Sequence, residues 1–116
     1  MITYIFRKPI FPVIAYFNGT LIGGKTGAQF ENNLKKYNIH IEKPHDVIDA
    51  TGEVWLLSIE PLAMSPLSFK SRFTKIKLIQ IYNISNNCKE NRMPYSEKSI
   101  SNKKFIKILK DILELI

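Results

Sequence analysis

The chain has 116 residues, 45% of them hydrophobic and 23% charged, with a formal net charge of +7. That length suits one domain with a real core, and a single cysteine, Cys88, excludes an intrachain disulfide. No apolar run approaches the roughly 18–20 residues that span a bilayer, and Arg7-Lys8 follows an apolar stretch, the reverse of a secretory leader. A cytoplasmic protein in a reducing compartment is therefore expected.

Residues 2–6 read as a short strand that ends before Pro9. Pro12-Val13-Ile14-Ala15-Tyr16-Phe17 is a second strand, and Asn18-Gly19 is the strongest hairpin signal in the chain. It folds Thr20-Leu21-Ile22 back as a third strand, ended by Gly23-Gly24. Thr26-Gly27-Ala28-Gln29 has capping-box spacing, and Phe30, Leu34 and Tyr37 follow at i, i+4 and i+7. That pattern predicts a helix to about Asn38 with one face on the sheet.

A polar connection leads to a strand over residues 53–60, with Trp55, Leu57 and Ile59 on one face. Residues 61–67 form an apolar loop in this reading, residues 74–84 the last strand, and residues 85–101 a polar, turn-rich connection. The final helix, about residues 102–116, sets eight apolar side chains from Phe105 to Ile116 against Lys103, Lys104, Lys107, Lys110, Asp111 and Glu114. Its lysines crowd the N-terminal turns and its acids the C-terminal ones, against the helix dipole. The expected fold is α+β: an antiparallel sheet of four to five strands, order roughly ββ(β)α-ββα, with two helices packed on one face.

The charge is one-sided. Residues 1–66 balance six Lys/Arg against six Asp/Glu, whereas residues 67–116 carry eleven against four. Such a field favours an anionic partner. Fourteen Lys against three Arg, with eighteen Ile and nine Asn, is also the bias of an AT-rich gene, so lysine number alone does not argue phosphate recognition.

Gly19-Thr20-Leu21-Ile22-Gly23-Gly24-Lys25-Thr26 matches the G-x-x-x-x-G-K-[ST] phosphate-loop pattern, in which backbone amides cradle the phosphates and the lysine reaches them. Leu21-Ile22 in its interior and the hairpin signal before it argue against that role, and the nearest acidic strand end is Glu60. From Phe11 through Asn18-Gly19, Lys25 and Gly27-Ala28 to Leu34-Lys35, the stretch resembles the strand–hairpin–helix that closes thioredoxin-family folds. The resemblance spans about residues 11–37 and implies a ββα unit. The family's redox Cys-x-x-Cys is absent, so it implies no activity.

His40, Glu42, His45, Asp46 and Asp49 follow no metal spacing and read as solvated loop residues. Cys88 has cations nearby but no His or second Cys accompanies it in sequence, and it reads as an inert, partly exposed thiol. No cofactor, metal or membrane partner is expected.

The expected function is a non-catalytic protein-binding module of inhibitor or toxin-immunity type. It would engage an acidic partner through Lys70, Arg72, Lys75, Lys77, Arg92, Lys103, Lys104 and Lys107. Phe69, Phe73, Tyr82 and Tyr95, interleaved with these cations, support the alternative of an RNA- or DNA-binding domain. A phosphate-loop-like nucleotide binder is a third reading, resting on Lys25 and Thr26.

Overall fold

The computed structural model describes residues 1–36, 44–59, 61–98 and 100–116. Among these, the chain forms a six-stranded mixed sheet and four α-helices, an α+β fold. In chain order the elements are β1 (Thr3–Tyr4), β2 (Val13–Phe17), β3 (Thr20–Gly24), α1 (Gly27–Lys36), β4 (His45–Ile48), β5 (Val54–Ile59) and β6 (Leu62–Pro66). Then come α2 (Lys75–Ile84), α3 (Asn86–Asn91) and, after a 3-10 turn at Ile100–Asn102, α4 (Phe105–Leu115). The sheet order is β1-β6-β5-β4-β2-β3, antiparallel except where β1 runs parallel to β6.

The first half follows its local signals. Asn18 and Gly19 both have positive φ, 48° and 90°, the turn that matches strand twist in a two-residue hairpin. Thr26 Oγ1 accepts from the Gln29 amide at 3.2 Å, and Gln29 Oε1 accepts from the Lys25 amide at 2.6 Å, so the capping box closes one residue early. The ββα unit of residues 13–36 is thus present, while Tyr37, His40, Glu42 and Glu60 lie outside the described residues.

The sheet is wider than expected and covered on both faces. Val13, Ala15, Phe17, Val47, Trp55, Leu57 and Met64 pack on one side with Phe30 and Leu34 of α1. Ile14, Leu21 and Ile48 pack on the other with Leu78, Ile79 and Tyr82 of α2, Cys88 of α3 and Ile108, Leu109 and Ile112 of α4. Hence two helices on a single face is corrected to helices on both. The cause is visible in β2: an unbroken apolar run must bury alternate side chains on opposite sides.

Three further expectations change. Residues 61–67 are not a loop; Leu62–Pro66 pairs with β5 and carries β1 on its other edge. The connection before β5 contains β4, where the His45 ring lies 4.8 Å from that of Phe17, so His45 is packed and not a solvated loop residue. Residues 74–84 form a helix, not a strand. Thr74 Oγ1 accepts from the Lys77 amide at 3.2 Å, and Leu78, Ile79 and Tyr82 share the buried face. The β-branched Ile76, Ile79, Ile81 and Ile84 suggest strand propensity, but packing against α4 and the sheet overrides it.

Ser85 ends α2 and starts α3, donating to the Tyr82 carbonyl at 2.5 Å and accepting from the Cys88 amide at 3.2 Å. Cys88 is therefore buried, correcting the partly exposed thiol. Among the described residues, no helix is long and apolar enough to cross a membrane.

The β4–β5 turn ties these layers together. Asp49, 1% exposed, accepts on Oδ1 from the Thr51 amide (2.8 Å), the Thr51 hydroxyl (2.7 Å) and the Glu53 amide (3.1 Å). Its Oδ2 accepts from the Trp55 indole at 3.1 Å and faces the Ile10 amide at 3.4 Å. Gly52 has φ +86°, and a Cβ there would sit 2.8 Å from the Phe73 carbonyl. Asp49→Ala strands the buried Trp55 indole, worth about 1–3 kcal/mol, and several part-buried donors, and should lower stability by about 3 kcal/mol in urea unfolding. Thr74→Ala should cost about 1 kcal/mol by the same measurement; no loss would contradict a capped helix at that position.

Candidate interaction surface

The eight cations named from sequence divide by location and by partner. Arg72 lies in the chain entering α2, and its Nη1 donates to the Thr51 hydroxyl at 2.6 Å and the Thr51 carbonyl at 3.2 Å. The same hydroxyl donates to Asp49, so Arg72 is anchored to the buried carboxylate through one intermediary. Lys75 Nζ donates to the Ile100 carbonyl at 3.1 Å, and the Lys103 amide donates to that same oxygen at 3.1 Å. Lys103 Nζ sits 5.0 Å from the centre of the Tyr95 ring and 3.3 Å from its hydroxyl. Lys104 is the N-cap residue of α4 and makes no side-chain cap.

All four residues lie where α2 and α4 begin, although the Lys103 ammonium reaches away to Tyr95, which is fastened to Asn83 near the end of α2 and to Asp111 of α4. Gly52 meets both Phe73 and Phe105, which follow Arg72 and Lys104 directly. Neither helix has an acidic residue in its first turn, so two positive dipole ends add to the cations. Among the described residues, none of the four forms an ion pair with a carboxylate.

The other four stand apart. Lys70 is neutralised by Asp46 at 2.7 Å, a carboxylate of the first half. Lys107 pairs with Asp111 one turn along α4 at 2.8 Å. Lys77 is on the outer face of α2. Arg92 closes α3 in the left-handed conformation, φ 56°, beside Asn91, whose amide donates to the Leu115 carbonyl at the far end of α4. The cluster is thus half the predicted set.

Tyr95, named only as an interleaved aromatic, fastens the segment between α3 and α4. Its backbone amide and carbonyl both bond the Asn83 side chain, at 2.8 and 3.0 Å, and its hydroxyl donates to Asp111 at 2.7 Å. Burial, then the Asp111 carboxylate, pushes the Tyr95 phenol up to about 12. Burial raises Asp111 as well, but hydrogen bonds from Lys107 and Tyr95, with the charges of Lys107 and Lys103, hold it below the usual carboxylate range.

Of the four aromatics interleaved with these cations, Tyr82 is buried, Phe73 and Tyr95 are half-buried, and Phe69 is open to solvent. The phosphate-loop stretch forms the hairpin and edge strand β3. Thr20, Ile22 and Gly24 face β2 in the ladder, and the Leu21 amide is taken by Asn87 at 2.8 Å and that of Lys25 by Gln29. A cavity of about 270 Å³ beside it is lined by Lys25 and Asn33 but also by Glu114. Amides committed in this way do not form an anion nest. Among the described residues, no cluster of His, Cys, Asp and Glu could hold a metal ion.

A phenol raised in the folded state binds its proton more tightly there than in the unfolded chain. Its contribution is complete below the unfolded value near 10 and is lost as pH climbs toward about 12. Tyr95→Phe should flatten the fall in stability between those limits relative to the parent chain, as measured by urea unfolding at graded pH; equal slopes would refute the shift.

No protein-family model matches the chain, and no curated protein matches it. Among solved structures, the fold is similar to that of a protein from Shewanella amazonensis determined by NMR, with TM-score 0.62 and 12% identity, covering 93% of this chain and 88% of that one. At that identity the likeness concerns the fold.

Proposed function

We propose that the chain is a non-catalytic protein-binding module, of inhibitor or toxin-immunity type, that acts in the cytoplasm by engaging an acidic partner. The observation that carries this reading is the gathering of Arg72, Lys75, Lys103 and Lys104 at the N-terminal ends of α2 and α4. Hydroxyls and carbonyls hold three of them and none forms an ion pair among the described residues, although Lys103 acts on Asp111 and Arg72 on Glu53 through space. The carboxylates nearby are already engaged. Asp49 accepts from its own turn and from Trp55, and Glu53 is held below the usual carboxylate range by its hydrogen bonds from Arg7. Electrostatic complementarity of this kind sets encounter rate and specificity.

A nucleic-acid reading draws on the exposed ring of Phe69 near Arg72. Polyglutamate and a single-stranded RNA of similar length, titrated at about 50 and about 200 mM salt, separate the two. The parent chain should bind polyglutamate, and Arg72→Glu with Lys104→Glu should weaken it by about tenfold. Lys107→Glu should do less, because Asp111 already neutralises that charge. RNA binding that falls steeply with salt, without polyglutamate binding, would replace the protein reading.

A further inference from the structure

We propose that Phe6 is the apolar anchor of this interaction surface, and that the partner is an acidic protein with a pocket for one aromatic ring inside a carboxylate rim. The inference rests on the acidic-partner reading above and adds a residue from the half of the chain whose charges balance.

Phe6 is 92% exposed and has φ +70°, a left-handed conformation that a bulky side chain rarely adopts. The Arg7 amide donates to the Ile5 carbonyl at 2.9 Å across it, closing a γ-turn of the rarer, strained hand. The turn is pinned on both sides. Ile5 donates to the Met64 carbonyl at 2.9 Å, and Arg7 grips Glu53 with both nitrogens at 2.6 and 2.5 Å. The Arg7 guanidinium lies 4.9 Å from the centre of the Trp55 ring, and Ala50 donates to the Ile10 carbonyl at 2.8 Å. A strained aromatic held out into solvent stabilises nothing within the fold. Holding it there removes ordering cost from binding.

Its surroundings set the partner's chemistry. Ile5 and Ile10 are also exposed in residues 5–10. Phe69, 82% exposed, lies in residues 67–73, which return to the same turn through Arg72 to Thr51 and the Phe73 amide to the Gly52 carbonyl at 2.7 Å. Both exposed phenylalanines therefore lie in segments tied to residues 49–53. Glu53 is spent on Arg7, Asp46 on Lys70, and Lys8 lies over the Tyr4 ring, which leaves Arg72 and Lys104 to set the sign of the rim. A second copy would bring like charges together across a two-fold axis, so an acidic partner is favoured over self-association. Aromatic anchors in a charged rim are how interfaces concentrate affinity.

The test pans a random peptide library against the immobilised parent chain and measures each enriched peptide on the parent, Phe6→Gly and Arg72→Glu/Lys104→Glu. Glycine suits the positive φ, so Phe6→Gly should keep or raise the melting temperature, and lost binding cannot come from unfolding. The expected result is peptides rich in Asp and Glu with a large apolar residue, bound about tenfold or more weakly by Phe6→Gly. Acidic peptides held equally by parent and Phe6→Gly would remove the anchor and leave the acidic-partner reading intact. Peptides without acids, indifferent to charge reversal, would remove both. Phe6-dependent sedimentation with vesicles of phosphatidylcholine carrying roughly a third phosphatidylserine would overturn the proposal in favour of a lipid surface. A Phe6-dependent dimer in sedimentation velocity would overturn it in favour of a second copy.

Discussion

The buried Asp49 carboxylate is the constraint on which the two faces of this sheet depend. A carboxyl group removed from water needs donors in place of the solvent, and the turn after β4 supplies them from its own backbone, from Thr51 and from Trp55. Holding the turn in that shape fixes the Thr51 and Gly52 carbonyls. Those carbonyls receive Arg72 and the Phe73 amide, which deliver the chain into α2. The same turn also holds the N-terminal segment, the Ala50 amide donating to the Ile10 carbonyl and Glu53 pairing with Arg7. One satisfied carboxylate thus fixes the turn to which the N-terminal segment and the entry to α2 both attach.

The same arrangement governs electrostatics. Among the described acids of the first half, Asp46 offsets Lys70 of the second half, whereas Glu53 is held by Arg7 and Asp49 by its own turn and Trp55. α4 carries its lysines at the positive end of its dipole, an arrangement that costs a few tenths of a kcal/mol per charge, up to about 1. Tyr95 recovers part of that cost by receiving Lys103 on its ring and hydroxyl while donating to Asp111. Stability given up at a surface is a common correlate of recognition.

The far edge of the sheet shows a different device. Asn87 bonds both the amide and the carbonyl of Leu21, at 2.8 and 3.1 Å, and the Asn33 side chain takes the Gly23 carbonyl at 2.7 Å. Side-chain amides here stand in for a further strand and block edge pairing. The polar residues 86–91 therefore form a helix because they have a sheet edge to serve. Asn86 adds to this, its amide donating to the Gly19 carbonyl at 2.7 Å.

Local chemistry was legible from sequence. Asn18-Gly19, the Thr26–Gln29 box, the alternation through Trp55 and Leu57, and the apolar face of α4 each appear where their residues require, because turn geometry, capping and periodicity act within a few positions. The α+β class and the one-sided charge belong with them. Only tertiary structure decided that residues 75–84 coil and do not extend, since a run rich in isoleucine takes the conformation its neighbours can bury. It also decided which lysines keep their charge unpaired. Whether a cation meets a carboxylate depends on contacts between residues as distant as Asp46 and Lys70, and sequence separation carries no record of that distance in space.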